Sequence, residues 1–407
     1  MTNVVFVAPY AMAATTRFVD AVAHVPGARV GLVSSDPIEA FPPAVRLAVA
    51  GHWRTDDCLD VDQLTVAVQR LGDHLGSIDR LQAILENVQV QLAAVRQRLG
   101  IPGMTVDVAE RFRDKQLMKQ AFEAAGVPCA RSRRVSSVDD VHGFVGDVGL
   151  PFVAKPLAGA GARNTFRIDR GDQLDGWLAS APPTGPDPML LEEFVAGEEH
   201  SFDSVVLDGQ PCWHSIGRYL PSPLAVLEHP WIQWCVVLPR EIDRPEYAGI
   251  VELGRHAVTA LGLCTGLSHM EWFRRPDGQL VVSEVGARPP GAQFMTLMSV
   301  AHDVDMYAAW ARLVVDESFD PPVRRHAVGA AYLRAQGLGH SIVAIHGLDR
   351  VSTETTARVV DVHLPRPGDA PSGTYEGEGH VIVRDHDTAA VEAALHEIVS
   401  TIRVELG

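Results

Sequence analysis

The fold of this chain is indicated by residues 266–291, whose sequence is GLSHMEWFRRPDGQLVVSEVGARPPG. Two apolar runs flank the turn signal Arg-Pro-Asp-Gly at 275–278, and this pattern predicts a β-hairpin. Each run carries one glutamate, Glu271 or Glu284, among apolar neighbours that are typical of a half-buried sheet. Antiparallel pairing around the turn would bring the two carboxylates together.

The two glutamates favour a metal site over a solvated surface. Two close carboxylates repel each other unless a positive charge lies between them. Oxygen ligands suit Mg²⁺, which keeps water and nucleotide phosphates in its remaining positions. The alternative, two acids on a solvated hairpin, agrees less well with the apolar neighbours Trp272 and Val285. Arg288, four residues after Glu284, is placed to meet a phosphate or the developing charge of an acyl phosphate.

A glycine-rich loop lies upstream of the hairpin. The run 149–156, Gly-Leu-Pro-Phe-Val-Ala-Lys-Pro, predicts a strand with Lys155 near its end, and a loop with Gly159 and Gly161 follows. Glycines let backbone N–H groups point at phosphate oxygens, and the lysine adds a charge. The alternative is a strand followed by a flexible turn, and the loop alone does not decide between the two.

A strand end with adjacent acids lies between the loop and the hairpin. Glu192 or Glu193 could accept a hydrogen bond from an adenine amino group, and the backbone of Val195 could meet a ring nitrogen. Glu199 could accept from ribose hydroxyls. Taken alone, this stretch is more typical of an exposed acidic strand end than of a nucleotide site.

Lysine is rare in this chain, with three of the 35 basic residues, so the positions that retain it are informative. Besides Lys155, these are Lys115, which follows Asp114 at a predicted helix start, and Lys119. That helix is predicted to end at Ala125-Gly-Val-Pro128. Lys119 lies one turn after Lys115, and we interpret it as a solvated helix residue.

The composition excludes several classes of protein. The 407 residues, 46% of them hydrophobic, predict two to four packed subdomains. A net charge of −16 disfavours nucleic-acid binding. No apolar run is long enough for a membrane span, the N-terminus lacks a basic leader, and five cysteines form no close pair, so we expect a cytoplasmic protein. The absence of a Gly-x-Gly-x-x-Gly turn and of a P-loop argues against a dinucleotide-dependent dehydrogenase and a P-loop enzyme.

Three further segments bear on the organisation of the chain. Strands at 3–8 and 29–34 with a helix between them predict a β-α-β opening. Residues 60–99 carry leucines and valines at spacings of three and four, which predicts one helical stretch closed by Gly100. The aromatic and Pro-rich segment 218–239 is interpreted as a wall of the substrate pocket, with simple packing as the alternative.

Taken in order, these motifs resemble the ATP-grasp superfamily over about residues 1–330. The ending Glu-x-Gly-Ala-Arg-Pro-Pro-Gly is more similar to the carboxylate–amine ligases, including the L-amino acid ligases, than to biotin carboxylase. The resemblance implies an α/β and α+β chain: an ATP-grasp fold preceded by a Rossmann-like (pre-ATP-grasp) α/β domain and followed by an α+β module. The domains implied are the N-terminal domain (1–105), the small lobe with the glycine loop (106–190), the large lobe with the Mg site (191–325) and the C-terminal module (326–407).

The resemblance also implies roles for individual residues. The ATP-binding set would be Lys115, Lys155, Gly159, Gly161, Glu192, Glu193, Val195 and Glu199. The metal ligands would be Glu271 and Glu284 for Mg²⁺, with Mn²⁺ as a substitute; Arg288 and Lys155 would act in catalysis, and Arg288 and Gly291 would line the substrate site. His269 shares a strand face with Glu271 and could also line that site, but a partly buried histidine with its own hydrogen-bond partners is an equally good interpretation. Gly286 departs from the family pattern, because many members carry an asparagine there as a further ligand. One metal site would then be weaker, or water would complete it.

The activity implied is that of an ATP-dependent ligase. A carboxylate would become an acyl phosphate and condense with an amine, with release of ADP and phosphate. The amine in this superfamily is commonly an amino acid. The partners would be small-molecule carboxylates and amines, with no nucleic acid or membrane, and relatives suggest a homodimer. Two alternatives remain open: another nucleophile, such as a thiol or carboxylase-type chemistry, and a nucleotide-binding protein without catalysis, which Gly286 alone supports.

Overall fold

A computed structural model of the chain describes residues 1–159, 164–229, 231–354 and 357–407. The first part is a parallel four-stranded sheet in the order β3-β2-β1-β4 with helices packed against it. Its elements are β1 (Thr2–Val7), α1 (Ala13–Ala23), β2 (Ala28–Ser34), α2 (Pro43–Ala48), β3 (Gly51–Arg54), α3 (Val61–Leu75), β4 (Arg80–Gln82) and α4 (Gln89–Leu99). The strand–helix–strand opening agrees with the prediction.

The prediction of one helical stretch over 60–99 is wrong. Helix α3 ends at Leu75, and Gly76 leaves the helix with a φ of +98°. The next leucine in the pattern, Leu81, is fully buried in β4, which pairs with β1. A short 3-10 turn, Glu86–Val88, follows before α4 begins. The spacing misled because one leucine of a short buried strand fits a helical pattern as well as a strand pattern.

The second part is an antiparallel sheet in the order β5-β8-β6-β7, with helices beside it. The Asp114 side chain accepts hydrogen bonds from the N–H groups of Gln116 and Leu117, so it caps the helix that begins at Lys115, as predicted. The elements are α5 (Val106–Arg113), α6 (Lys115–Ala125), β5 (Ser132–Val135), α7 (Val138–Val148), β6 (Phe152–Pro156), β7 (Phe166–Ile168), α8 (Gly171–Ser180) and β8 (Met189–Glu193).

The rest of the described chain is organised on an eight-stranded antiparallel sheet in the order β13-β12-β9-β10-β11-β14-β17-β16, beside a two-stranded sheet β15-β18. Its elements are β9 (Glu198–Leu207), β10 (Gln210–Leu220), α9 (Pro223–Glu228), β11 (Trp234–Leu238), α10 (Pro245–Leu261), β12 (Gly266–Arg274), β13 (Leu280–Gly286), α11 (Phe294–His302), α12 (Met306–Asp316), β14 (Ala327–Leu333), β15 (Ile342–His346), α13 (Leu348–Glu354), β16 (Arg358–His363), β17 (Gly379–Asp385), α14 (Thr388–Thr401) and β18 (Arg403–Leu406). This sheet continues across the implied boundary at 325, so the four domain limits stay predictions.

The hairpin that was predicted from 266–291 consists of β12 and β13. Its register places Glu271 directly opposite Glu284. The pairing then shifts by one residue, because Trp272 lies opposite Val282. The shift is a β-bulge that leaves Ser283 out of register and frees its carbonyl for another partner.

An apolar cluster joins the first part of the chain to the large sheet. The ring of Phe18 on α1 lies 4.9 Å from the rings of Tyr307 and Trp310 on α12, measured between centroids. Phe6 of β1 meets Trp310 at 6.3 Å. This contact positions the turn at Glu86–Val88 against the hairpin. Within the described ranges, no helix combines the length and the apolar character that a membrane crossing requires.

Candidate active site

A cavity of about 1140 Å³ lies where the three parts of the chain meet. The first part contributes Glu86, the second Lys115 and Lys155, and the hairpin Glu271 and Glu284. Most of the side chains selected from the sequence therefore line one cavity. Those found in its wall are Lys115, Lys155, Gly159, Glu192, Glu193, Val195, Glu199, His269, Glu271, Glu284, Arg288 and Gly291. Gly161 and the rest of 160–163 lie outside the described residues.

The hairpin carboxylates are electrostatically unequal. Burial and the charge of Glu284 raise the pKa of Glu271 above its usual value. Burial also opposes ionisation of Glu284, but Lys115 and Lys155 hold the pKa of Glu284 below its usual range. The Lys115 Nζ lies 2.9 Å from Glu284 Oε1. The two carboxylates face each other, and among the side chains that the structure describes only that of Glu284 has a paired lysine. Such a pair of oxygen donors suits a hard divalent cation.

The protein supplies few ligands for such a cation. Among the described residues, no group of three or more His, Cys, Asp or Glu side chains is arranged to hold a metal ion. A cation at Glu271 and Glu284 would need water or substrate oxygens in its other positions. A Cβ on Gly286 would lie 3.6 Å from Arg288 Cγ, an ordinary contact, so space does not require a glycine there.

Lys115 ties the start of the glycine loop to the hairpin. Its side chain is buried and donates a hydrogen bond from Nζ to the Gly159 carbonyl at 3.2 Å. Its backbone N–H donates to the Leu157 carbonyl at 3.0 Å. The loop therefore begins beside Glu284, which is where phosphate groups bound by the lysine would lie.

The interpretation of Lys119 as a solvated residue is wrong. Its side chain is 3% exposed, with Nζ at 3.1 Å from Glu192 Oε1. The same Nζ donates to the Ser283 carbonyl at 3.0 Å, which the β-bulge frees. Residues four apart on a helix share a face, so Lys119 and Lys115 both turn towards β13. The scarcity of lysine in the chain was the signal that could have indicated this.

Glu192 is the partner of two buried lysines. Lys155 Nζ lies 2.7 Å from Glu192 Oε2, and Lys119 lies against the other oxygen. Although burial favours the neutral acid, Lys119 and Lys155 lower the pKa of Glu192 to about 2. Burial likewise opposes the charge of Lys155, yet Glu192 and Glu284 raise the pKa of Lys155. The buried lysines and glutamates of the site are therefore paired, with each positive charge next to a negative one.

The other residues predicted to bind adenine and ribose differ in whether their polar groups are free to contact a nucleotide. The Glu193 carboxylate is held by Arg131 at 2.6 Å and Arg275 at 2.8 Å, so only its backbone is free for a nucleotide. The Val195 N–H makes no hydrogen bond to any described residue. Burial and the charge of Glu271 raise the pKa of Glu199 well above its usual value, and the positive charge of Lys155 offsets them only in part.

Glu86 and two arginines form a cluster that sequence reasoning missed. Glu86 Oε1 accepts from Arg113 at 2.9 Å, and Oε2 accepts from Arg288 Nε at 3.1 Å. Despite burial, Glu86 raises the pKa of Arg288. Glu86 is separated from Arg288 by 202 residues and lies in the stretch that was predicted to be helical, so no local pattern indicated it.

His269 also has partners that the sequence did not indicate. Its Nδ1 donates to Asp203 Oδ1 at 2.7 Å, and its Nε2 accepts from the Tyr219 hydroxyl at 3.3 Å. Asp203 is fully buried on β9, next to β12. Tyr219, Leu224 and Trp234, from the segment 218–239, line the cavity, in agreement with its interpretation as a wall.

Replacing Lys119 by methionine is expected to destabilise the protein by about 1–3 kcal/mol. The change keeps the length of the side chain but leaves the Glu192 carboxylate without one of its two cations and the Ser283 carbonyl without its donor. Chemical denaturation would measure the free energy of unfolding. Gln120→Met, on the exposed face of the same helix, is the matched control. Equal stability of Lys119→Met and this control would show that Lys119 is solvated.

No family model matches the chain. Over 265 residues it is 27% identical to the L-arginine-specific L-amino acid ligase of Bacillus subtilis, and the match covers 63% of each protein. Over 244 residues it is 26% identical to the alanine–anticapsin ligase of Bacillus subtilis, covering 55% of this chain and 50% of that protein. The chain thus matches between one half and two thirds of the length of these two relatives.

Among solved structures, the chain is similar over its full length to the L-amino acid ligase of Bacillus licheniformis. The TM-score is 0.78 at 18% sequence identity, and the superposition covers 100% of this chain and 99% of that one. At this identity, the likeness establishes a shared fold.

Proposed function

From the ATP-grasp fold that this chain has, we propose that it is an ATP-dependent ligase that joins a carboxylate to an amine. The observation that carries the proposal is the opposition of Glu271 and Glu284 in one cavity with Lys115, Lys155 and Arg288. This arrangement gathers the charges that a phosphoryl transfer needs, and such reactions depend on positioning and charge neutralisation.

ATP would lie between the second part of the chain and the large sheet. Lys115 and Lys155 bind its phosphates, and Gly159, whose carbonyl accepts a hydrogen bond from Lys115, lies beside them. The free N–H of Val195 meets the adenine ring, and Glu199 meets the ribose hydroxyls. The Glu192 carboxylate is held by two lysines, so its main effect is to fix Lys155 in place.

The facing glutamates fit a divalent cation. Glu271 and Glu284 would hold Mg²⁺, or Mn²⁺ in its place, and the metal would supply neutralising charge for the phosphate oxygens. Because Gly286 adds no side-chain ligand to these two carboxylates, water or phosphate oxygens of the substrate would fill the other positions.

The proposed reaction has two steps. An oxygen of the substrate carboxylate attacks the γ-phosphorus of ATP, the bond to the β-phosphate oxygen breaks, and ADP leaves. The amine nitrogen then attacks the carbonyl carbon of the acyl phosphate, phosphate leaves with the bridging oxygen, and the nitrogen loses a proton. Arg288 stabilises the charge that collects on the acyl phosphate, and Glu86 positions the guanidinium group of Arg288.

The substrates that we propose are amino acids. The two relatives are named for L-arginine and for alanine with anticapsin, so each acts on at least one amino acid by its name. A homodimer, a cytoplasmic location and the lack of nucleic-acid partners stay predictions from the sequence.

Phosphate release from MgATP in the presence of paired amino acids and small carboxylic acids tests the proposal. We expect release that requires two co-substrates, together with a condensed product whose mass is the sum of both minus water. ATP binding without release across the panel would contradict the proposal and favour a nucleotide-binding protein without catalysis. Release that requires a thiol or bicarbonate would favour the other nucleophiles.

A further inference from the structure

The cavity wall contains a carboxylate, that of Glu376, which the proposed reaction does not use and which has no paired arginine or lysine among the described residues. Glu376 lies on the segment 364–378 between β16 and β17, and it lines the cavity together with Gly373, Thr374 and Tyr375. In the described part of the chain, no side chain or backbone group forms a hydrogen bond or ion pair with Glu376. Burial therefore raises the pKa of Glu376 without a compensating cation.

The backbone on both sides of Glu376 is held by contacts with neighbouring segments, so its Cα stays at the cavity wall. Gly377 has a φ of +63°, and a Cβ there would lie 2.4 Å from the Leu333 carbonyl oxygen. The Glu378 carboxylate accepts from the N–H groups of Ala335 at 2.5 Å and Ser372 at 2.9 Å. Its own N–H donates to the Leu333 carbonyl at 2.9 Å. These bonds tie both ends of the 372–378 segment to the end of β14.

An aromatic wall connects Glu376 to the hairpin. The ring of its neighbour Tyr375 meets Trp234 edge-on at 4.8 Å, and Trp234 lies 5.6 Å from Tyr219. The Tyr219 hydroxyl contacts His269, which lies two residues before Glu271 on the same strand face. A substrate whose carboxylate lies near Glu271 would therefore extend past these aromatic side chains towards Glu376.

The positive groups in the cavity wall already have partners. Arg113 and Arg288 are paired with Glu86, Lys115 with Glu284, and Lys155 with Glu192. None of these pairs involves Glu376. A carboxylate in a cavity wall without a protein cation is a suitable environment for a ligand cation, because hydrogen bonds between opposite charges are strong.

We propose that Glu376 binds a cationic group of the amino-acid substrate, an ammonium or a guanidinium, with Trp234 and Tyr375 beside it. This inference rests on the proposed function, since it takes the cavity as a substrate site. The cation can come from two sources: the α-ammonium group that every free amino acid carries, or the side chain of a basic amino acid.

Substitution of Glu376 by glutamine tests the inference, with the exposed Glu252→Gln as the matched control. Calorimetry would measure the binding of L-arginine, L-lysine and the uncharged L-norleucine to the full-length wild type and to each variant. We expect Glu376→Gln to weaken binding about 10- to 100-fold, as for the loss of a hydrogen bond to a charged group, with the apparent affinity for ATP unchanged. Loss for all three ligands would identify the α-ammonium, and loss for arginine and lysine alone would identify the side chain.

The outcomes separate this inference from the proposed function. Equal affinities in Glu376→Gln and Glu252→Gln, or a wild type that binds none of the three amino acids, would overturn the role of Glu376. Neither result depends on phosphate release, which tests the ligase activity separately. Glu376→Lys provides a second variant: if the side chain is the cation, it should reverse the preference from L-arginine to L-glutamate, and an unchanged preference would exclude that source.

Discussion

Replacement of Glu284 by alanine is expected to abolish turnover, with a fall in kcat on the order of 10³-fold or more. Glu284 lies opposite Glu271, and its carboxylate also pairs with Lys115 at 2.9 Å. The substitution therefore removes one of two carboxylates that face each other and releases a buried lysine from its partner. Initial rates of phosphate release at saturating ATP, measured over a series of Mg²⁺ concentrations, would show the loss.

Two controls make this result interpretable. Glu252→Ala replaces an exposed glutamate on α10, the helix that packs against β13, and should retain wild-type rates. Glu284→Asp keeps the charge and should recover part of the activity at high Mg²⁺. A Glu284→Ala variant that unfolds at the wild-type temperature and turns over near the wild-type rate would disprove the metal assignment.

Replacement of Lys155 by alanine is expected to raise the KM for ATP by about 100-fold, because a buried charge-assisted contact to phosphate is lost. Lys155 Nζ lies 2.7 Å from Glu192 Oε2 and is nearly buried, so its ammonium group is held at the cavity wall. Steady-state rates at varied ATP and fixed co-substrates would give the KM.

Removing Lys155 also leaves Glu192 with one lysine, and this could destabilise the fold. Lys155→Met keeps the apolar stem and provides a second variant if the alanine variant does not fold. Lys119→Met removes the other partner of Glu192 without removing a cavity-lining charge, so it should change the KM for ATP far less. Unchanged ATP kinetics in both Lys155 variants would remove Lys155 from the nucleotide site.

The parts of the site that the sequence predicted are those that short-range patterns determine. The turn at 275–278 indicates the hairpin and brings Glu271 and Glu284 close together, although their direct opposition also requires the β-bulge at Ser283. In the same way, Asp114 caps a helix whose first residue is Lys115. Each of these depends on a turn or a cap that residues adjacent in sequence produce.

The parts that the sequence did not predict depend on contacts between distant segments. Glu86 meets Arg288 where the first part of the chain lies against the hairpin, and the packing of α1 on α12 joins the same two parts. Asp203 meets His269 across neighbouring strands, 66 residues apart. Lys119 was assigned to solvent because its helix pattern does not show that a β-bulge offers it the Ser283 carbonyl.

The error over residues 60–99 has the same origin. Leu81 satisfies the helical spacing, but in the structure it pairs beside β1 in a three-residue strand. Leu81 belongs to a sheet because β4 pairs with β1, and the spacing of residues within 60–99 does not reveal that pairing. Because the turn that holds Glu86 lies in this stretch, the same error concealed a residue of the candidate active site.

The central claim, activation of a carboxylate as an acyl phosphate, is tested most directly with an amino acid whose carboxylate carries ¹⁸O. The wild-type enzyme would be given MgATP, the labelled acid and an unlabelled amine, and the released phosphate would be analysed by mass spectrometry. One ¹⁸O atom transferred to each inorganic phosphate, with ADP as the other product, is the predicted result. Phosphate without ¹⁸O, or label in AMP, would contradict it.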